Sequence, residues 1–469
     1  MKKLRLIVFT FIALFIFVSC QLQPEEQKAK YVFYFIGDGM GLSQVIAAEA
    51  FQAALNGDEY TPLNFRQFPH AGLSTTHAAN RLITGSAAAG TALATGHKTA
   101  IGRIGMDTSG TVPFESIAEK AKKKGMKVGI ISSVSINHAT PAAFYAKQKN
   151  RNMYFEIGLD LTKSDFDFFG GGGLSSAEGS LEGEEVNLYE LAEESGFQYI
   201  NTAEGFSNLK PAEAKVLFVN PELTGGTSMH YAIDQPEGYI TLADITGKAI
   251  EYLDNDNGFF MMVEGGKIDW LCHANDMAAM IHEVLDFSYA VEEAIAFYHQ
   301  HPDETLIVVT ADHETGGLGL GHQSMKYESD FAVLTNQHVS GEKFNKVLME
   351  WRKENELNKR GYNNMLGLVE KHFGIGTDDT PISLTPAESE EYHEAFLVYD
   401  ESLQSEYGDY SPLTLKSTSI LSSHAGAGWT TMSHTAVAVP VYSLGVNSGA
   451  FTGNLDNTDI PVIIWETIE

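Results

Sequence analysis

Several short segments of this chain carry side chains that could do chemistry together. Asp38 lies in Phe35-Ile-Gly-Asp-Gly-Met-Gly, straight after an apolar run. A carboxylate in such a glycine-rich turn can approach a ligand closely. Ser86 opens a run of small residues, Ser-Ala-Ala-Ala-Gly-Thr-Ala-Leu-Ala-Thr, that reads as a helix. A helix N-terminus offers unpaired N–H groups that suit an alkoxide or a phosphoryl oxygen. Glu264, Asp269 and His273 share Val263-Glu-Gly-Gly-Lys-Ile-Asp-Trp-Leu-Cys-His. There a carboxylate and an imidazole four residues apart can reach one ion. Asp312 and His313 follow in Thr310-Ala-Asp-His-Glu-Thr-Gly-Gly, and His434 in Ser433-His-Thr-Ala-Val. Taken singly, Asp38 reads as a turn aspartate and Ser86 as a helix cap. Taken together, hard oxygens and imidazoles in several clusters suit a multinuclear metal centre. His424 competes with His434, but only His434 is followed by a threonine and an apolar strand. Cys272 reads as a buried inert thiol rather than a further ligand.

The elements that must position these groups are legible in the apolar pattern. Runs of strand length fall at 31–36, 127–131, 259–263, 306–309 and 437–444, and several end in the residues named above. Their continuous apolar character predicts strands buried on both faces. Helical periodicity falls between them, at 42–54, 86–95, 114–124, 242–253 and 278–298. The alternation predicts an α/β fold, a three-layer α/β/α sandwich around a large, mostly parallel central sheet. Ligands of such sheets sit beyond the carboxyl ends of the strands, where these acids and histidines fall. From about 322 to 422 the strand rhythm lapses and charged helical text appears. This reads as a long insertion on the rim of the sheet, a second small domain being the other reading.

Composition narrows the function. The chain has 469 residues and sets 61 acidic against 31 basic ones, a formal charge of −30. Such a surface repels nucleic-acid phosphates and argues against nucleic acid as a partner. An anionic substrate would need concentrated local positive charge, most cheaply from metal ions. Cys20 and Cys272 are the two cysteines, too few for a disulfide scaffold. At the start, Lys2, Lys3 and Arg5 precede an apolar stretch at 6–18, too short to span a bilayer. Phe17-Val-Ser-Cys20 then resembles a bacterial lipobox, with Phe17 in place of the more usual leucine. The expectation is a lipoprotein signal peptide over 1–20, lipidation at Cys20, a polar tether over 21–30 and one large domain over 31–469. A plain secretory signal is the alternative. Either way the protein is expected to be exported, to the periplasm or the cell surface, and on the lipobox reading it is a membrane-anchored lipoprotein.

From Asp38 to His434, in order, these blocks resemble the alkaline phosphatase family in its serine-nucleophile, two-zinc, one-magnesium form. The resemblance implies hydrolysis of phosphate monoesters to an alcohol and inorganic phosphate through a phosphoserine, with broad specificity. It implies Ser86 as the nucleophile. Asp269, His273 and His434 match a first zinc site, and Asp38, Asp312, His313 and Ser86 itself a second. Asp38, Thr140 and Glu264 match the magnesium site, with Thr140 in His138-Ala-Thr-Pro-Ala-Ala. Arg151 matches the phosphate-binding arginine, although its place in the basic run 147–151 also fits a solvated side chain. Gly85 stands where an arginine-orienting aspartate is common, which leaves Arg151 without that partner. His138 and Trp270 stand where some members carry Asp and Lys. His138 thereby joins the candidate ligands of a third site that zinc can enter. Dimers are usual in the family, so a homodimer is expected as possible. A phosphodiesterase of the same superfamily is a rival, against which Glu264 and Thr140 speak. A sulfatase would need a Cys/Ser-x-Pro-x-Arg block, absent around Ser86. A non-catalytic metal-binding or anion-binding surface lipoprotein would have lost the nucleophile or a ligand, and none is lost.

Overall fold

Strand β1 (Tyr31–Gly37) is buried along its whole length. Tyr31, Phe33 and Phe35 enter one apolar cluster, while Val32, Tyr34 and Ile36 enter another. Both faces are covered, which is why the run is continuously apolar rather than alternating. The computed structural model describes residues 27–469, apart from 213, 324, 356–357, 378–379, 399–403 and 406–407. The expected signal peptide and Cys20 lie outside the described residues.

Nine further strands join β1 in one sheet: β2 (His70–Thr75), β3 (Lys127–Ser132), β4 (Phe168–Gly171), β5 (Phe197–Ile200), β6 (Lys215–Val219), β7 (Phe259–Gly265), β8 (Thr305–Thr310), β9 (Val439–Gly445) and β10 (Gly453–Asp456). Their order is β10-β2-β9-β8-β1-β7-β3-β4-β6-β5. The strand read at 437–444 becomes β9, which runs antiparallel to both β8 and β2. All other neighbours pair in parallel.

The helices that matter here are α1 (Leu42–Asn56), α2 (Ser86–Thr95), α3 (Ile117–Lys123), α4 (Leu242–Leu253), α5 (Lys267–His273), α6 (Met277–Tyr298), α7 (Gly341–Glu354), α8 (Lys359–Phe373), α9 (Pro386–Leu397), α10 (Pro412–His424) and α11 (Asp459–Ile468). Helices α1, α4 and α6 cover the face of Phe33 and Phe35. Helices α2, α3 and α11 cover the other face. The result is the predicted three-layer sandwich. The helix expected over 114–124 starts only at Ile117, because Ser116 caps it. The Ser116 hydroxyl accepts from Glu119 N at 3.1 Å, and the Glu119 carboxylate accepts from Ser116 N at 2.7 Å.

One expected boundary moves, and one alternative reading falls away. The tether read over 21–30 gives way to the fold before its end. Ala29 N donates to Thr467 O and Lys30 N to Glu304 O, both at 2.8 Å. The insertion read over 322–422 carries α7 to α10, and its buried side chains do not form a core of their own. Phe344, Leu348, Val369, Phe373, Tyr392 and Leu421 belong to the same apolar cluster as α6. The reading of a separate small domain therefore fails for its described residues.

Asp38 follows β1, Ser132 ends β3, Glu264 lies at the end of β7, and Asp312 and His313 follow β8. These four strands are neighbours, in the order β8-β1-β7-β3. The chain winds outward from β1 in both directions, so their carboxyl ends open a crevice where ligands of such sheets bind.

Candidate metal centre

Asp269 and His273, on α5, meet His434 from the far end of the chain. His273 Nε2 lies 3.4 Å from Asp269 Oδ2, and His434 Nε2 lies 3.6 Å from Asp269 Oδ1. The two Nε2 atoms are 3.1 Å apart. Each ring is held from behind by a main-chain carbonyl: His273 Nδ1 at 2.6 Å from Met432 O, His434 Nδ1 at 2.9 Å from Thr84 O. A carbonyl can only accept, so both Nδ1 atoms carry hydrogen. In its neutral form each ring therefore aims its Nε2 lone pair at the other. Two lone pairs at that separation need a proton or a cation between them.

A second group lies beside the first. His313 Nε2 is 3.3 Å from Asp312 Oδ2 and 3.5 Å from Asp38 Oδ1. Thr315 fixes this ring too. Its hydroxyl donates to Asp269 Oδ1 at 2.5 Å, so at 3.2 Å it accepts from His313 Nδ1. His313 Nε2 is again the inward lone pair, and Ser86 Oγ lies 3.4 Å from it. The rings of His313 and His434 stack at 3.7 Å between centroids, which joins the two groups. Asp312 Oδ1 accepts from Gly39 N at 3.2 Å and His313 N at 2.9 Å. Gly39 has φ +73°, and a Cβ there would come within 2.9 Å of Asp269 Cα, so only glycine fits the turn. Ser86 starts α2, which is buried throughout. A Cβ at its Gly90 would press on Thr140 Cα at 3.2 Å. The run of small residues lets α2 lie against the short helix Ala139–Ala142, which carries Thr140.

The third group is Asp38, His138 and Glu264, whose ligand atoms lie within 4.8 Å of one another. Thr140 Oγ1 donates to Asp38 Oδ2 at 3.4 Å. Glu264 accepts a short hydrogen bond from Ser132 on the neighbouring strand. Arg151 donates to His138 Nε2 at 3.0 Å. The arginine, lacking an aspartate at position 85, is thus oriented by His138. Trp270 meets the edge of the His138 ring, centroids 6.1 Å apart.

The family model described as alkaline phosphatase matches residues 29–469. Alkaline phosphatase 4 of Bacillus subtilis is 31% identical, across 97% of this chain and 94% of that protein. The alkaline phosphatase of Schizosaccharomyces pombe is 29% identical, across 95% and 82%. Among solved structures, the cold-active alkaline phosphatase of a psychrophilic Shewanella superposes with a TM-score of 0.78 at 29% identity, across 94% of this chain and all (100%) of that one. That of the Antarctic bacterium TAB5 gives 0.65 at 27% identity, across 95% and 99%. The chain belongs to the alkaline phosphatase family. It is a metal-dependent phosphomonoesterase, and the mechanism of its family passes through a covalent phosphoserine.

The donor set of this phosphatase fits metal ions. Asp38 Oδ1, Asp312 Oδ2 and Glu264 Oε1 are buried and lack hydrogen-bond partners, a costly state that coordination relieves. Burial, reinforced by the neighbouring carboxylates, pushes Asp38 well up, Glu264 to about 8 and Asp312 to about 7. Burial would raise Asp269 as well, but His273, His434 and His313 outweigh it and hold that carboxyl below its ordinary range. Burial opposes charge on His273, yet Asp269 overcomes this and raises its pKa. Divalent charge is what lets Asp38, Asp312 and Glu264 ionise together at neutral pH.

All eleven candidate residues meet in this one crevice. Cys272 is buried and takes a weak contact from Gln44 Nε2 at 3.8 Å, in line with an inert thiol. His424, the last residue of α10, pairs with Glu388 on α9 at 3.0 Å and belongs to none of the ligand groups. The sequence reading missed Ser132, Thr315 and the carbonyls of Thr84 and Met432. Thr315 had a visible signal, two places after His313; the carbonyls had none.

Metal binding must displace protons from this centre. Titrating metal-stripped enzyme with zinc at pH 7, in buffers of different ionisation enthalpy, should show release of more than one proton per chain. The release should shrink above about pH 8, where Glu264 and Asp312 are already ionised. A pH-independent or absent release would contradict the assignment of these acids as ligands.

Proposed function

We propose that this phosphatase uses two zinc ions and one magnesium ion, held by the three groups above, to hydrolyse phosphate monoesters of many alcohols. The observation that carries the reading is the convergence of three inward Nε2 lone pairs and unpartnered carboxylate oxygens beside the Ser86 hydroxyl. Asp269, His273 and His434 would hold one zinc; Asp38, Asp312 and His313, with Ser86, the other. Asp38, Thr140 and Glu264 would hold magnesium, with His138 beside them. When bound, these ions supply the dense positive charge that a phosphoryl dianion and its transition state require. Ser86 Oγ attacks phosphorus, and the alcohol leaves on the opposite side, next to His273 and His434. Ser86 carries the phosphoryl group until water removes it. Arg151 grips two phosphoryl oxygens in a bidentate fork. Recognition centred on the phosphoryl group leaves the alcohol unspecified, hence broad specificity.

Purified enzyme should cleave p-nitrophenyl phosphate far faster than its bis-ester, and acid quenching at steady state should trap phosphate on Ser86. Ser86→Ala should keep its metals and lose the adduct. Phosphate trapped on another side chain would overturn the role of Ser86, and a preference for the bis-ester would favour a phosphodiesterase.

The third site is proposed to be weak and tunable. Imidazole is a poor magnesium ligand and a good zinc one. The TAB5 enzyme has been solved as histidine-to-glutamate and histidine-to-aspartate variants with magnesium bound in its M3 site. By that analogy, added magnesium should stimulate the zinc-loaded wild type, and His138→Asp/Trp270→Lys should bind phosphate more tightly. No stimulation, together with unchanged phosphate affinity, would remove His138 and Trp270 from this role.

Export and a lipid anchor at Cys20 are proposed on the sequence alone. No helix among the described residues is long and apolar enough to cross a membrane. Cys20→Ala should move the protein from the membrane fraction to the soluble one. Unchanged fractionation with an unmodified N-terminus would contradict it.

A further inference from the structure

Glu314 follows His313 but belongs to none of the three ligand groups. Its carboxylate is buried, and several segments converge on it. Gln44 Nε2, on α1, donates to Oε1 at 2.8 Å. Gly317 N donates to the same oxygen at 2.9 Å, and Leu318 N at 3.3 Å. The Thr435 hydroxyl donates to Oε2 in a short hydrogen bond. A carboxylate can accept about four hydrogen bonds, so this one is saturated by groups from α1, the 316–318 turn and the segment carrying His434.

The register explains why that matters. Glu314 and Thr315 pair antiparallel with Thr435 and His434. Successive side chains of a strand point to opposite sides. Thr315 points inward, to Asp269 and His313. Glu314 points outward, and clamps the residue next to His434. Gln44 reinforces the same joint by donating to Thr315 O at 2.8 Å. Space for the Glu314 side chain comes from Gly41, where a Cβ would meet Glu314 Cγ at 2.3 Å.

We propose that Glu314 is the positioning residue for His434. By locking Thr435 it sets the spacing of the His434 and His273 Nε2 atoms, and so the hold on the ion they share with Asp269. Its carboxylate touches neither substrate nor ligand atoms. The inference rests on the reading of Asp269, His273 and His434 as a zinc site.

The test is the rate at which zinc leaves the holoenzyme for a colorimetric chelator, in wild type, Glu314→Gln and Gln44→Leu. Glu314→Gln should release one ion faster by about 10–100-fold, the usual effect of removing a group that supports a metal ligand. Gln44→Leu, which spares the Thr435 contact, should act in the same direction but less. Added zinc should restore kcat in both variants, and their unfolding temperatures in excess zinc should match the wild type. Lower unfolding temperatures in excess zinc, with no recovery of activity, would make Glu314 a merely structural acid and overturn the proposal. Zinc release at the wild-type rate in both variants would overturn it too. A wild type holding no ion at Asp269, His273 and His434 would overturn instead the metal reading on which the inference rests.

Discussion

The centre depends on the orientation of three imidazoles. His273, His313 and His434 each give Nδ1–H to an oxygen behind the ring, and each leaves an Nε2 lone pair facing the acids. Nothing in a hydrophobic core would stabilise such an arrangement, because it sets acceptor against acceptor at 3.1 Å. It becomes favourable when a cation stands among the lone pairs. The oxygens behind the rings come from Met432, Thr315 and Thr84, which lie far apart in sequence. Much of the fold between residues 84 and 434 therefore serves to bring three acceptors to the right places.

The sheet provides the rigid frame for this. Strands β8, β1, β7 and β3 lie side by side, buried on both faces, and deliver Asp312, Asp38, Glu264 and the 138–140 segment to one edge. Close approach is then a matter of small residues. Gly39 lets the β1 turn pass against Asp269, and Gly90 lets α2, with Ser86 at its head, settle on the short helix that carries Thr140. The same principle recurs outside the ligand shell, where Gly41 makes room for Glu314. Surface charge plays a different part. A chain of net charge −30 can hold an anionic ester only where the crevice concentrates positive charge locally, which the proposed metal ions and Arg151 would supply.

Much of this was legible in the sequence, for physical reasons. A strand covered on both faces must be apolar at every position, so β1, β7 and β8 announced themselves. The ligands lie at their ends in short blocks whose residue types suit hard cations. The direction of β9 was not legible, since an apolar run carries no orientation. The boundary at Ile117 depended on a capping box at Ser116 and Glu119, which overrides the periodicity. The shared core of the insertion was hidden by its charged outer faces. Around the site, groups defined by side-chain type were found, and groups defined by contact were not. A main-chain carbonyl has no sequence signature, and Glu314 looks like any acid beside a histidine until its partners on α1 and beside His434 are seen.

The central claim is that the Nε2 atoms of His273, His313 and His434 face bound cations. Anomalous diffraction from crystals of the zinc-loaded protein, measured on both sides of the zinc absorption edge, tests it most directly. The account predicts one zinc peak among Asp269, His273 and His434, and another among Asp38, Asp312 and His313 beside Ser86, with each Nδ1 still bonded to its oxygen. Absence of both peaks, or rings turned so that Nδ1 faces the ions, would contradict it.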